Sequence, residues 1–220
     1  MTAKLDVVIP VRDVDDYLGE ALESALTQSG VDATVYVVDA GSARPIALPP
    51  THADDDRVRL LRSDVGLLAG AARNLGASAG SSTWIAFLDA DDLWPSDSRS
   101  ALIDAAIAVD ADLAVGTIEH FQDADSEGLR LPVDGQKALI PGGIVVRRTA
   151  WDAVGPFDPS LSVGEFIDWR NRARMASLRE VFIDAPVLRR RIHVRSTMAS
   201  KISDRSDYLE VVRRWMARSD

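Results

Sequence analysis

The pattern of apolar and polar positions alternates between short strands and helices over the first ~120 residues. Five apolar runs rich in β-branched residues predict buried strands, at Leu5–Pro10, Thr34–Asp39, Arg57–Arg62, Trp84–Leu88 and Leu113–Ile118. Between most of these strands, apolar residues recur at helical spacing. They predict a helix that carries Leu18 to Leu26 and helices at Leu68–Gly80 and Ser96–Val109. Such alternation predicts an α/β domain with a mainly parallel central sheet flanked by helices.

The second half of the chain is less regular. We predict a loop or irregular hairpin from residue 122 to 137 and further elements at Ile144–Arg147 (strand), Glu165–Ser177 (helix), Val181–Ile183 (strand), Leu188–Val194 (strand) and Arg205–Arg218 (amphipathic helix). The last helix either covers the domain or meets a partner, for example in a homodimer. With no internal repeat or clear linker, residues 1–220 form one predicted domain.

Three aspartates directly follow the strand Trp84–Leu88, namely Asp89, Asp91 and Asp92. Holding these carboxylates together is costly unless a cation lies among them. An acidic loop that caps the next helix is the alternative. Ligands of parallel sheets bind at the carboxyl ends of the strands, so Pro10, Asp39 and Asp89 are expected along one rim.

A row of basic side chains marks the predicted strand Leu188–Val194. Its members occupy alternate positions and should share one face of the strand, namely Arg189, Arg191, His193 and Arg195. Such a row is either an exposed edge strand guarded by charge or an anion-binding site.

Composition limits the functions open to this chain. The 220 residues are 46% hydrophobic and 27% charged, as in ordinary globular proteins. A net charge of −9 argues against nucleic acid as a partner. The absence of cysteine leaves carboxylates and histidine for any metal site. Without a signal peptide or a transmembrane run, a cytoplasmic location is expected.

Four short motifs carry a resemblance to a known family. They are Val7–Val11, Val37–Ser42, Ala71–Gly76 and Phe87–Asp92, followed more loosely by Val146–Arg148, Val154–Asp158, Gly164–Glu165 and Arg191–His193. In this order they resemble the family 2 glycosyltransferases, whose catalytic domain has the nucleotide-diphospho-sugar transferase (GT-A, Rossmann-like) fold. The resemblance implies a nucleotide-binding half at 1–118, an acceptor half at 119–200 and a C-terminal helix at 201–220.

The resemblance also implies a reaction and a ligand set. A sugar would pass with inversion from a nucleotide-diphospho-sugar to an acceptor hydroxyl on a saccharide, lipid-linked saccharide, peptide or small molecule. Carried over by position, the residues that would contact the donor are Pro10 and Val11 at the base, Asp39 and Arg73 at the nucleotide, Asp89 at the ribose, and Arg191 and Arg195 at the diphosphate. The metal-binding DXD motif would supply Asp91, with Asp89 beside it, and His193 would help to hold the Mg²⁺ or Mn²⁺ ion.

Two departures from the family pattern affect these roles. Ala40 stands where a second acidic residue is usual, so the donor need not be a uridine nucleotide. Phe166 occupies the usual position of the general base and cannot accept a proton. The base is then expected to be Glu165 or Asp168, which are three residues apart and share one face of a helix. The alternative is that Glu165 caps the helix and Asp168 forms a surface ion pair. The alternative function is a non-catalytic sugar-nucleotide-binding or partner protein of the same fold.

Overall fold

The computed structural model describes residues 2–13, 16–123, 126 and 131–193. Arg195, Val194 and the predicted helix Arg205–Arg218 lie outside the described residues. The helices are α1 (Leu18–Leu26), α2 (Ala69–Ala79), α3 (Ser98–Ala108), α4 (Arg148–Val154) and α5 (Glu165–Met175). The strands are β1 (Ala3–Val11), β2 (Val31–Asp39), β3 (Val58–Arg62), β4 (Trp84–Phe87), β5 (Leu113–Gln122), β6 (Gln136–Lys137), β7 (Ile144–Arg147) and β8 (Glu180–Ile192).

The strands form one mixed sheet in the order β3-β2-β1-β4-β7-β5-β6, with β8 paired to β5. The pairs β1–β2, β2–β3, β1–β4 and β5–β8 are parallel, whereas β7 runs antiparallel to β4 and β5. The prediction of a mainly parallel sheet flanked by helices is confirmed.

The register of the parallel strands brings their carboxyl ends to one edge. Val11 at the end of β1 lies opposite Asp39 at the end of β2, and Val8 lies opposite Phe87 at the end of β4. Asp89 follows β4 by two residues, so the expected rim of Pro10, Asp39 and Asp89 is present.

Apolar side chains fill both faces of the sheet. On one face, Val7 and Ile9 of β1 belong to a core that includes the apolar sides of α1 and α3. On the other, Val8 belongs to a core that includes residues of α2, α4 and α5. This second core contains a cluster of rings formed by Phe87, Trp151, Phe157, Phe166 and Trp169. Burial on both faces explains why β1 reads as a continuous apolar run rather than an alternating one.

Small residues let α2 approach the sheet closely. A Cβ atom built on Gly76 would lie well inside contact distance of the Val8 side chain, and it would lie 3.1 Å from Val38 Cγ2. A side chain larger than hydrogen at this position would therefore push α2 away from the sheet.

The sequence-based prediction of two separate strands near the end of the described chain was wrong. Residues 180–192 form the single strand β8, with irregular register where Thr117 and Ile118 of β5 pair with it. Pro186 lies inside this strand, opposite Thr117, where the register is irregular. None of the helices in the described part of the chain has the length and apolar character needed to cross a membrane.

Candidate functional site

The segment Asp89–Leu93, here called the acidic loop, runs antiparallel beside the end of β8. Leu93 and Arg189 exchange two main-chain hydrogen bonds of 3.0 and 2.9 Å. Further along, the Arg191 main-chain N–H donates to Asp92 Oδ1 at 2.9 Å. His193 Nε2 then lies 3.0 Å from Asp91 Oδ2. Two side chains 102 residues apart in sequence are therefore in direct contact at the carboxyl edge of the sheet.

Asp92 is the buried member of the acidic loop. Burial, together with the neighbouring charges of Asp91 and Asp89, raises its pKa well above the usual value, although the hydrogen bond from the Arg191 main chain opposes this. The following helix begins at Ser98 with Asp97 at its N-cap, so Asp92 joins the loop to β8 rather than capping the helix. No pattern in the sequence distinguishes Asp92 from the neighbouring Asp89 and Asp91.

Arg191 is buried and surrounded by partners from three segments. Its guanidinium bonds to Glu20 of α1 at 2.7 Å, to the main-chain oxygen of Asp91 at 2.9 Å and to Asp123 after β5. The rings of Tyr17 and Phe121 lie 4.3 and 4.6 Å from its central carbon. A diphosphate would compete with two carboxylates for this cation, so the structure does not present Arg191 as an open phosphate site.

The edge-strand interpretation of the basic row does not describe this part of β8. Arg189 to Ile192 pair with β5 on one side, and Arg189 and Arg191 bond to the acidic loop on the other. Arg189 is exposed whereas Arg191 and His193 are buried, so the row divides into one surface residue and two site residues.

Arg73 of α2 joins two of the predicted site carboxylates. Its buried guanidinium bonds to Asp89 at 2.5 Å and to Glu165 at 2.7 Å. Burial has the largest single effect and would raise the pKa of Asp89, but the charge and the hydrogen bond of Arg73, together with the charge of Arg190, keep that pKa below its usual value. The structure therefore brings Arg73, Asp89 and Glu165 into one ion-paired cluster beside the acidic loop.

Local backbone features allow α5 to reach this cluster. Gly164, at the N-cap of α5, has a φ of 80°, a left-handed conformation that favours glycine. Gly70 of α2 leaves room for Glu165, since a Cβ atom there would lie 3.2 Å from Glu165 Cγ. Asn74 adds two hydrogen bonds of 2.9 Å to the main chain of Phe157. The motif residues around Arg73 thus dock α2 against the segment that leads into α5.

Asp168 has a different environment from Glu165. It accepts a hydrogen bond of 2.9 Å from Arg172, which also donates to the main-chain oxygens of Val154 and Pro156. Phe166 packs in the apolar core with 5% of its surface exposed and stacks on Trp169. Of the two candidate bases, Glu165 is connected to Asp89 because both bond to Arg73. Asp168 is connected through Arg172 to the loop before α5.

Asp39 organises the loop after β2. Its buried carboxylate accepts hydrogen bonds from the main chains of Ser42 and Ile46, at 2.8 and 3.1 Å, and from Arg62 at 2.8 Å. Burial would raise the pKa of Asp39, but these hydrogen bonds and the Arg62 charge lower it overall. Pro10 and Val11 lie beside this loop, where the Val11 oxygen accepts a hydrogen bond from Ala40.

The possible metal ligands at the carboxyl edge of the sheet fit a hard divalent cation only in part. The described residues contain no group of three or more His, Asp or Glu side chains arranged to hold a metal. Asp91 and His193 supply one carboxylate and one imidazole. Mg²⁺ in phosphate-processing sites commonly takes one or two protein carboxylates and completes its shell with substrate phosphates and water, and imidazole is also a ligand for transition metals. The pair therefore fits a cation that arrives with a diphosphate, whereas Asp89 is engaged by Arg73.

The family model described as Glycosyl transferase family 2 matches residues 6–147. The succinoglycan biosynthesis protein ExoO of Rhizobium meliloti is 35% identical over 134 residues, covering 61% of this chain and 38% of ExoO. Glycosyltransferase GlyA of Streptococcus pneumoniae is 31% identical over 129 residues, covering 57% of this chain and 18% of GlyA.

Among solved structures, S. aureus TarS 1–349 in complex with UDP-GlcNAc superposes with a TM-score of 0.80 at 18% identity. The superposition covers 96% of this chain and 65% of that one, and it supports the GT-A fold. The chain spans well under two thirds of the length of ExoO and GlyA. With the family model matched from β1 to the end of β7, the chain belongs to glycosyl transferase family 2.

Proposed function

We propose that this chain is a metal-dependent, inverting glycosyltransferase that uses a nucleotide-diphospho-sugar as donor. The contact between Asp91 and His193 carries the proposal, because it joins two metal-type ligands from distant segments at the ligand-binding edge of the sheet. Arg73, Asp89 and Glu165 lie beside this pair. UDP-GlcNAc is the first donor to test, because TarS 1–349, which has a similar fold, was solved in complex with it.

In the proposed reaction, Glu165 accepts the proton of the acceptor hydroxyl. The acceptor oxygen forms a bond to the anomeric carbon from the face opposite the diphosphate. The bond from that carbon to the diphosphate oxygen breaks, and its electron pair leaves with the nucleoside diphosphate. One displacement of this kind inverts the anomeric configuration.

Glu165 suits the role of base better than Asp168. Both side chains are 13% exposed, but only the Glu165 carboxylate is held at Oε1 by Arg73, whereas Asp168 pairs with Arg172. Because Arg73 also bonds Asp89, the base is connected to the donor side of the site. A general base needs hydrogen-bond reach of the reacting proton and a fixed position, and Glu165 has a defined position.

Asp91 and His193 are the residues that would hold Mg²⁺ or Mn²⁺. When bound, such a cation neutralises negative charge that develops on the departing diphosphate. Arg73 holds Asp89 and Glu165 through ion pairs of 2.5 and 2.7 Å.

The direct test measures the release of UDP from UDP-GlcNAc by the purified protein with Mn²⁺, with and without candidate acceptors. We expect Asp91→Asn to lower the rate about 100-fold, equivalent to ~3 kcal/mol of transition-state stabilisation. Asp110→Asn is the matched control, because Asp110 is an exposed aspartate before β5, at the opposite edge of the sheet, where it pairs with Arg179.

A thermal-shift panel of nucleoside diphosphates separates donor choice from catalysis. A ligand that binds only the folded protein raises its melting temperature, so the correct nucleotide should do so more strongly with Mn²⁺ than without. Metal-dependent binding without release from any donor would favour the non-catalytic binding protein. Equal turnover by Asp91→Asn and wild type would contradict the proposal.

A further inference from the structure

Arg191 and Asp92 lie between the Asp91–His193 pair and the main-chain bridge of Leu93 to Arg189. Moving outward along the two segments, the contacts are the Leu93–Arg189 bridge, the Asp92–Arg191 hydrogen bond and the Asp91–His193 contact. The segments therefore meet at three successive levels, and Arg191 occupies the middle one.

Arg191 makes two contacts with the acidic loop at this level. Its main-chain N–H donates to Asp92 Oδ1, and its side-chain Nε donates to the main-chain oxygen of Asp91, each at 2.9 Å. Together they fix both the side of the loop that faces β8 and the position of the Asp91 backbone. His193 follows Arg191 by two residues, so the same contacts fix the start of its side chain.

The rest of the guanidinium is fixed by charge and by rings. Glu20 and Asp123 accept hydrogen bonds from its two terminal nitrogens, and Tyr17 and Phe121 lie near its central carbon. The edge of the Tyr17 ring also contacts the His193 ring, with centroids 5.2 Å apart. Helix α1 and the end of β5 thus hold Arg191 in place, and Tyr17, at the N-cap of α1, contacts His193 directly.

From this arrangement we infer that Arg191 and Asp92 are positioning residues that set the separation of Asp91 and His193, and that Arg191 is not a ligand of the donor diphosphate. This inference rests on the proposed function for its catalytic consequence. Groups that orient metal ligands commonly change metal affinity by about 10- to 100-fold when removed. A diphosphate ligand would instead change nucleotide affinity even without metal.

Two titrations distinguish these roles, both with UDP as the probe. In EDTA, the affinity of Arg191→Met for UDP should match that of wild type. With UDP saturating, its affinity for Mn²⁺ should fall by about 10- to 100-fold. Arg189→Met is the matched control, because Arg189 is exposed on the same strand and stacks on Phe121 without bonding its side chain to the acidic loop. An equal loss of UDP affinity in EDTA would assign Arg191 to the diphosphate and overturn the inference.

Asp92 provides a second variant should Arg191→Met fold poorly. Asp92→Asn retains an oxygen that can accept the Arg191 N–H, whereas Asp92→Ala does not. We therefore expect Asp92→Asn to keep the wild-type affinity for Mn²⁺ and Asp92→Ala to lose it. Equal affinity in both variants and wild type would overturn it.

Amide hydrogen exchange without metal or nucleotide tests the contact separately from the proposed function. In Asp92→Ala, residues 89–93 and 189–193 should lose protection together, while β1 and β2 keep theirs. Unchanged protection of both segments would overturn the inference. Joint loss of protection, in a protein whose wild type does not bind Mn²⁺ with UDP, would support the positioning contact and count against the metal-dependent function.

Discussion

At the scale of single residues, the position of Phe166 bears on which group would act as base in the proposed reaction. It belongs to the apolar core, where it stacks on Trp169. The neighbouring Glu165 points instead toward Arg73. The family position for a carboxylate is therefore used for packing here, and the residue before it has the polar environment.

Glu165→Gln should lower the transfer rate about 10²- to 10⁴-fold, the usual contribution of a general base, because glutamine cannot take the acceptor proton. The affinity for UDP should change little. Asp168→Asn is the matched comparison, and it should retain most of the activity because its partner is Arg172. Steady-state rates of UDP release check both variants, and a reversed order of effects would identify Asp168 as the base.

Asp39 gives a prediction about pH. Its pKa in the folded protein lies below the unfolded value of about 3.9, so its ionised form stabilises the fold above that pH. This contribution is lost as the pH falls through the folded pKa. The free energy of unfolding of Asp39→Asn should therefore be lower than that of wild type at pH 7, and the difference should shrink below about pH 4.

Urea unfolding between pH 3 and 7 measures this difference. Asp152→Asn, on the exposed side of α4, is the control and should follow wild type throughout. A constant difference between Asp39→Asn and wild type across the whole range would show that the ionised carboxylate does not stabilise the loop after β2.

At the scale of elements, the close approach of α2 to the sheet fixes the position of Arg73. Gly76 lies against Val8 and Val38, and Gly70 lies against Glu165 and Phe157. The helix is thus in contact with the sheet at one end and with the start of α5 at the other. Arg73 lies between these two contacts and reaches both carboxylates.

Gly76→Ala should destabilise the protein by about 1–3 kcal/mol, because the added methyl group overlaps the Val8 side chain. The effect opposes helix propensity, which favours alanine by ~1 kcal/mol. Gly19→Ala in α1 is the control, since its methyl group would lie 3.7 Å from Pro49, and it should be neutral or stabilising. Chemical denaturation compares the two, and a stabilised Gly76→Ala would mean that α2 is less closely packed.

At the scale of the whole molecule, the periodicity of the chain predicts the class of fold and the edge where ligands bind. Strand-ending residues such as Asp39 and Asp89 are visible in the sequence because each closes an apolar run. The contact between Asp91 and His193 is not visible in periodicity, since it depends on β8 pairing in parallel with β5. It was expected only through the family resemblance.

The partners of arginine residues were the least predictable part of the site. The row from Arg189 to His193 has the same pattern whether its charges meet a phosphate or protein carboxylates. Glu20, which receives Arg191, lies 171 positions earlier on α1, and no local pattern marks it as a partner. Glu165 and Asp168 both lie in the first turn of α5, yet they have different partners. The docking of α2 against α5 brings Arg73 to Glu165 and leaves Asp168 paired with Arg172.

Pulsed electron paramagnetic resonance of Mn²⁺ bound with UDP tests most directly whether one cation lies between this protein and the donor phosphates. The account predicts phosphorus couplings from UDP together with a nitrogen coupling from one histidine, and His193→Gln should remove the nitrogen coupling alone. Phosphorus couplings without any histidine nitrogen in the wild-type protein would contradict it.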